Sequence, residues 1–543
     1  MSTQITSHNT STRVAFVGAG PGDPGLLTVR AREYLAAADV VILDSYHHAE
    51  QIEPFTKAEA TFVDGAATGT GKLMNANSRA KLLLKTVSKH PNSCLVVRLM
   101  DGDPSAFSGL SAEALACSQS GVPFDIVPGV STAWSVPAYA GVPLSGKGIG
   151  ELHMINASTG KVDWSRSVAD EVTVVVLGGA TDLARAVQGL LTAGRSAETP
   201  VSLTEHGTMI TQRTDVTTLG QAASFLERMD HNEDSVLVVG AQVGLRDELS
   251  WYESKPMFGW RVLVPRTKDQ AAPMVEQIAT HGATASVVPT ISVEPPRTPT
   301  QMDKAIRGLV TGRYEWVGFT SVNAVRAVRE KFHEWGLDAR SFSGLKIAAV
   351  GGVTEKALND WGLNADLVPE DEQSAKGLLE EWPEYDEVLD PINRVFLPRA
   401  DIATETLTAG LQELGWEVDD VTAYRTVRAS PPPAPIREAI KAGDFDAVCF
   451  TSSSTVRNLV GIAGKPHHTT VVACIGPATA KTAEEHGLRV DVIAPEPSSA
   501  SLVNALASYG LELAAAASAT GERPLRPSQR RTTRGRRATQ DRA

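Results

Sequence analysis

Cysteine is scarce: the 543 residues carry four, Cys94, Cys117, Cys449 and Cys474. None forms a C-x-x-C pair, which argues against a disulfide framework or a thiolate metal site and predicts reduced, buried thiols. Long apolar runs are missing too, since nothing approaches the ~18 consecutive apolar residues of a membrane-spanning helix. The opening dozen residues are polar and lack the apolar core of a secretory signal. These absences predict a cytoplasmic protein with no membrane partner and no metal. Positive charge is sparse over most of the chain. The net charge is −12, yet from Arg523 onward eight Arg face only Glu522 and Asp541, which leaves about −18 elsewhere. A tail of Pro, Arg, Ser and Thr cannot offset its ordering entropy, so 511–543 is predicted to be a disordered basic tail without a specific nucleic-acid partner.

What is present begins at Val14–Leu27, where an apolar run breaks into Gly18, Gly20, Gly22 and Gly25 ahead of a helical stretch from Thr28 to Ala38. Strand, glycine loop and helix in that order let backbone approach a small ligand and offer free N–H donors. Pro21 and Pro24 interrupt the helix start that a dinucleotide fingerprint requires. Further α/β phrases follow: Ala38–Asp44, Arg98–Pro104, Val127–Ser131, Pro137–Leu144 and Thr204–Arg213. Together they closely resemble the uroporphyrinogen-III C-methyltransferases of the tetrapyrrole methylase family, which use S-adenosylmethionine to make precorrin-2. The likeness spans residues 13–255.

That resemblance implies roles. Asp44, at a strand end, falls on the family's proton acceptor; an ordinary turn or cap Asp is the alternative. Pro21, Asp101, Gly102, Asp103, Ala106, Ser131, Thr132, Gly178 and Gly207 fall on cofactor-binding positions. The family's pattern is not intact. Gly65 stands at the usual proton-donor Lys, with Lys72 nearby. Asp101 replaces a Gly, Gly178 replaces a Met, and an Arg is missing after Phe107.

The pattern closes at Trp251–Trp260, and Arg261–Thr267 immediately opens a new strand and turn, so two modules join with little slack. The second half repeats internally. Phe319–Arg326 echoes Phe450–Arg457, and Ile347–Gly351 echoes Val472–Gly476, which predicts two similar α/β lobes. With Val264–Arg266, Leu397–Ala400, Ala423–Thr426 and Ile475–Ala480, this half resembles uroporphyrinogen-III synthase over 259–510. That family inserts one lobe, here 294–426, into the other. The resemblance implies closure of hydroxymethylbilane to uroporphyrinogen III with inversion of ring D and no cofactor. Tyr424 falls on the family's Tyr, a general acid or a packed interdomain residue. Thr320, Ser321, Thr451, Ser452, Ser453 and Gly476 are candidate substrate-carboxylate binders; plain helix capping by the hydroxyls is the alternative. Arg266, Arg399 and Arg425 could add charge.

The expected fold class is therefore α/β throughout: a two-domain methylase fold, a two-domain synthase fold, then the tail. The expected partners are tetrapyrrole substrates and a second copy, paired through the methylase half. Two functional readings remain open at this point. Both halves are enzymes acting in sequence, or only the synthase half is active and the first is a degenerate binding or dimerisation module. A methylase of the same fold acting on RNA or protein would leave the synthase half unexplained.

Overall fold

A computed structural model describes residues 12–44, 49–67, 74–90, 93–106, 109–158, 161–227, 235–402, 404–521 and 524–530. Lys72 and residues 531–543 of the tail lie outside them. The chain divides into two compact units whose main parts meet at Trp260 and Arg261, with Ile278–Thr284 and Gly510–Pro524 counted in the first.

The first unit holds two five-stranded sheets. One comprises β1 (Arg13–Gly18), β2 (Val40–Leu43), β3 (Thr61–Asp64), β4 (Leu95–Met100) and β5 (Phe124–Val127), ordered β3-β2-β4-β1-β5 with every pair parallel. Its central strands read as near-continuous apolar runs, interrupted inside β4 by Arg98, because helices cover both faces of a parallel sheet. Residues Val14–Val17 are fully buried. The other sheet comprises β6 (Glu151–Asn156), β7 (Val172–Gly178), β8 (Pro200–Glu205), β9 (Arg213–Thr218) and β10 (Ser235–Val239), ordered β6-β7-β10-β8-β9 and mostly antiparallel.

The second unit repeats one plan twice. The first lobe begins with β11 (Arg261–Val264) and β12 (Thr284–Val287). The chain then builds a second lobe from β13 (Ile291–Glu294), β14 (Trp316–Phe319), β15 (Lys346–Ala349), β16 (Arg394–Ala400) and β17 (Glu417–Arg428). It returns as β18 (Ala447–Phe450), β19 (Val471–Cys474) and β20 (Val492–Ile493). The sheets are ordered β12-β11-β18-β19-β20 and β13-β17-β16-β14-β15. The expected insertion is thus realised. The crossing segments pair with each other, with Ile291 opposite Arg428 and Glu294 opposite Arg425, so the inserted lobe starts at β13, slightly before residue 294. All four cysteines are buried and unpaired; burial pushes the Cys449 and Cys474 thiols up to about 12.

The reading of 511–543 as wholly disordered needs correction. The helix Ser499–Ala519 continues past residue 510, because Leu511–Ala519 is rich in Ala and Leu, strong helix formers. It is long and apolar enough to cross a membrane by composition, contrary to the scan for apolar runs. Leu502, Val503, Leu506 and Ala507 in its first half are nevertheless buried against the α/β unit, whereas no residue of Leu511–Ala519 is buried. Farther on, Pro527 is buried and the Ser528 N–H donates to Asp446 Oδ1 at 2.9 Å. Asp446 is only 1% exposed, and its other oxygen takes the Arg261 N–H at 2.8 Å. A buried carboxylate needs donors on both oxygens, and the tail supplies one of them.

A chain ending at Gly521 should therefore lose about 1–3 kcal/mol of second-unit stability, the cost of an unsatisfied buried acceptor. Calorimetry of the full and shortened chains checks this; an unchanged midpoint for the second unit would refute the docking.

Candidate active sites in the two units

Most candidate residues of the first unit stand in the loops that follow β1, β2, β4 and β5, while Gly178 ends β7 and Gly207 follows β8 in the other sheet. The loop after β1, which holds Pro21, is bridged to the loop after β4: Gly20 and Gly102 exchange backbone hydrogen bonds at 3.2 and 2.8 Å. Gly18 lies so close to Gly129 that a Cβ there would stand 2.5 Å from its backbone. Gly102 has φ +65°, and the Thr132 hydroxyl oxygen would lie 3.0 Å from a Cβ at that position. These loops therefore present main chain, which suits a ligand recognised by backbone groups, and the residues fit a cofactor held that way. Asp103 knits them together. Its carboxylate accepts from Gly129 N at 2.9 Å and from Ser105 N at 2.8 Å, and Ala106 N donates to the Asp103 carbonyl at 3.1 Å. Burial alone would raise the Asp103 pKa, but these donors and the Ser105 hydroxyl hold it below the usual value. Ser131 caps the helix Thr132–Tyr139, and Gly178 ends β7.

Gly207 sits in a strained loop. Its neighbours His206 and Thr208 have φ +49° and +67°, and a β-branched residue at positive φ is a true outlier. Thr208 is fixed from all sides. Its hydroxyl accepts from Asp23 N at 3.1 Å, its N–H donates to Gln212 at 2.7 Å, and its carbonyl accepts from Tyr252 at 2.9 Å. Such strain persists only where surroundings over-determine it, and it marks working loops.

Asp44 ends the strand β2 and is ion-paired to Arg98 Nη2, while Asp101 N reaches its second oxygen at 3.3 Å. The Arg98 side chain is 1% exposed and also binds Glu113, 0% exposed, at 2.8 and 3.2 Å. Arg79 approaches Glu113 at 3.4 Å. Neither Arg98 nor Glu113 was picked out as functional from sequence. The available signal was a lone Arg inside the otherwise apolar β4. Gly65 cannot carry the family's Lys on this backbone, because a Cβ would stand 2.7 Å from the Leu43 carbonyl oxygen.

In the second unit the two Phe-Thr-Ser phrases follow equivalent parallel strands, β14 and β18. β14 lies between β15 and β16, and β18 between β11 and β19, at the edges where α/β sheets open ligand crevices. Tyr424, on β17, is 7% exposed, and its hydroxyl lies 3.0 Å from the Ser321 hydroxyl. Ser321 also caps the helix Val322–Glu334 by accepting from Ala324 N at 3.2 Å. Ser452 caps Ser453–Ala463 in the same way, and Ser453 donates to the Ala478 carbonyl at 3.1 Å. Capping therefore engages Ser321 and Ser452, as the alternative reading held. Thr320 and Thr451 are half-buried beside the caps. A Cβ at Gly476, the cap of Pro477–Glu485, would point into open space, so that backbone is accessible.

Replacing Arg98 by Met removes the cation between Asp44 and Glu113, leaving the buried Glu113 only Arg79 at 3.4 Å, and should cost about 3–5 kcal/mol, read by urea unfolding of the first unit. A loss below about 1 kcal/mol would show that the network is not structural. Because the folded-state pKa of Asp103 is lowered, the stability it contributes is complete above the ordinary carboxylate range near 4 and is lost as pH falls through the depressed value. Asp103→Asn should flatten that acid limb, and an unchanged pH–stability curve would contradict the role.

Comparison with known proteins agrees with this layout. Residues 13–223 match the family described as Tetrapyrrole (Corrin/Porphyrin) Methylases, and residues 272–504 match Uroporphyrinogen-III synthase HemD. The porphyrin biosynthesis protein HemD of Ruminiclostridium josui is 29% identical over 507 residues, covering 92% of this chain and 98% of that protein. Uroporphyrinogen-III C-methyltransferase of Bacillus subtilis is 30% identical over 321 residues, 58% of this chain and 64% of that one. A solved uroporphyrin-III C-methyltransferase from Thermus thermophilus, complexed with S-adenyl homocysteine, is 29% identical over 43% of this chain and 99% of its own, with a TM-score of 0.35. Two family models thus match the chain in tandem, the tetrapyrrole methylases over residues 13–223 and the uroporphyrinogen-III synthases over residues 272–504.

Proposed function

We propose that this is a bifunctional enzyme of tetrapyrrole biosynthesis. Its second unit closes hydroxymethylbilane to uroporphyrinogen III, and its first unit methylates that product to precorrin-2. The observation that carries the reading is the tandem itself, one chain joining a family that makes uroporphyrinogen III to one that consumes it.

In the second unit, Tyr424 protonates the departing hydroxyl of the linear substrate, which leaves as water and yields a reactive azafulvene. Ser321 orients the Tyr424 hydroxyl, and the lobes hold the chain folded and keep water away from the intermediate. Carboxylates of the substrate meet the strand-end backbone at Thr320, Thr451, Ser453 and Gly476.

In the first unit, the main chain around Pro21, Asp101, Gly102, Asp103, Ala106, Ser131, Thr132, Gly178 and Gly207 holds S-adenosylmethionine. That cofactor supplies an electrophilic methyl group when bound. Asp44, ion-paired with Arg98, accepts the proton that the methylated pyrrole carbon must lose.

The reading includes a cytoplasmic location, supported by the likeness to families of biosynthetic enzymes. Two copies pair through the first unit, a reading supported by edge strand β5, which leaves Phe124 and Ile126 exposed.

Asp44→Asn should lower methyl transfer from labelled S-adenosylmethionine to uroporphyrinogen III by about 10²–10⁴-fold while leaving S-adenosylhomocysteine binding intact. Tyr424→Phe should lower formation of the type III isomer over a similar range. Full methyl transfer by the Asp44 variant would remove Asp44 from the chemistry. Absence of transfer in the unaltered protein would leave the synthase as the active half.

A further inference from the structure

Arg266, Arg399 and Arg425, the three arginines of the second unit named as candidate charges, differ in what neutralises them. Arg399, in β16, is ion-paired with Asp420. Arg425, in β17, is ion-paired with Glu294. Arg266, just beyond β11, has no carboxylate within ion-pair distance among the described residues; its Nη1 donates instead to the Ser499 hydroxyl at 3.0 Å. It is half-buried, and burial holds its pKa below the ordinary arginine value. A desolvated guanidinium without a counter-ion is unfavourable at rest and becomes favourable when an anion arrives.

Its place in the sheet fits that role. β11 lies between β12 and β18; the chain leaves β11 toward β12, and the parallel β18 lies on the other side. This is the topological switch point, where a crevice opens outside the carboxyl ends of the strands. Arg266 follows β11 at that end, and Thr451 and Ser452 follow β18.

We propose that Arg266 binds a carboxylate of the linear tetrapyrrole in the crevice between the carboxyl ends of β11 and β18. The proposal rests on the synthase reading and adds to it the residue that supplies fixed positive charge. Arg399 and Arg425 are structural, because their charge is already matched within the second lobe. The guanidinium engages the substrate equally before and after ring closure, so it contributes uniform binding and does not act on the reacting carbon.

The test compares unaltered protein with Arg266→Gln, Arg266→Lys and Ser499→Ala, using freshly generated hydroxymethylbilane and resolving the porphyrin isomers. Arg266→Gln should raise KM by about tenfold to a hundredfold, the range for a lost charge-assisted hydrogen bond, with kcat and the share of type III isomer within about twofold. Arg266→Lys should recover part of that loss, since it keeps the charge without the planar fork. Ser499→Ala removes only the internal partner and should leave KM within about twofold. A KM for Arg266→Gln within about twofold of the unaltered value would overturn the proposal. So would a Ser499→Ala effect as large, because the arginine would then act through the helix Ser499–Ala519. If the unaltered protein yields only type I isomer, the synthase reading falls first, and the proposal falls with it.

Discussion

The first unit is organised around a charge it cannot release, the guanidinium of Arg98 in the middle of a parallel sheet. Burying an arginine costs several kcal/mol unless its donors are matched, so two carboxylates must come to it. Glu113 comes from the helix Leu110–Gln119 and Asp44 from the end of β2. The same ion pair therefore does two things: it ties helix and strands to one point, and it fixes the carboxylate that stands at the mouth of the site. Asp44 cannot wander, because the buried network holds one oxygen and the Asp101 N–H the other. Under the role proposed for Asp44, stability and chemistry share the residue, so the position tolerates little change.

The second unit solves the same problem without a buried ion pair at its candidate catalytic group. Tyr424 keeps a neutral hydroxyl under cover by pairing it with Ser321, and Ser321 is anchored as a helix cap. The repeat of the Phe-Thr-Ser phrase in the two lobes places equivalent helix starts on two sheet edges. What differs between the lobes is charge: Arg399 and Arg425 of the inserted lobe are neutralised by carboxylates of their own sheet, while Arg266 has no such partner among the described residues.

Much of this was legible in the sequence because it depends on local signals. Glycines at the end of Val14–Val17, the duplicated phrases and the missing linker at Trp260–Arg261 each report on neighbouring residues. Each was realised as a strand end, a lobe or a unit boundary. What escaped notice is long-range. Nothing near Arg98 reveals that its partners stand 54 and 15 positions away. The positive φ of Thr208 is imposed by Asp23, Gln212 and Tyr252, none of them predictable from the loop's own composition. The tail was misjudged because its arginines dominate the composition of a segment that opens with good helix formers. Gly65 shows the converse case: the missing Lys was visible at once, but the Leu43 carbonyl that bars any side chain there was not.

One incubation reaches the central claim most directly: the full chain with freshly generated hydroxymethylbilane, with and without S-adenosylmethionine, resolving porphyrin isomers and methylated products. Type III isomer without the cofactor, and its conversion to a dimethylated product with it, is the predicted result. Type I isomer alone, with or without cofactor, would contradict the synthase assignment. Type III isomer that stays unmethylated in the presence of cofactor would contradict the joint activity of the two units.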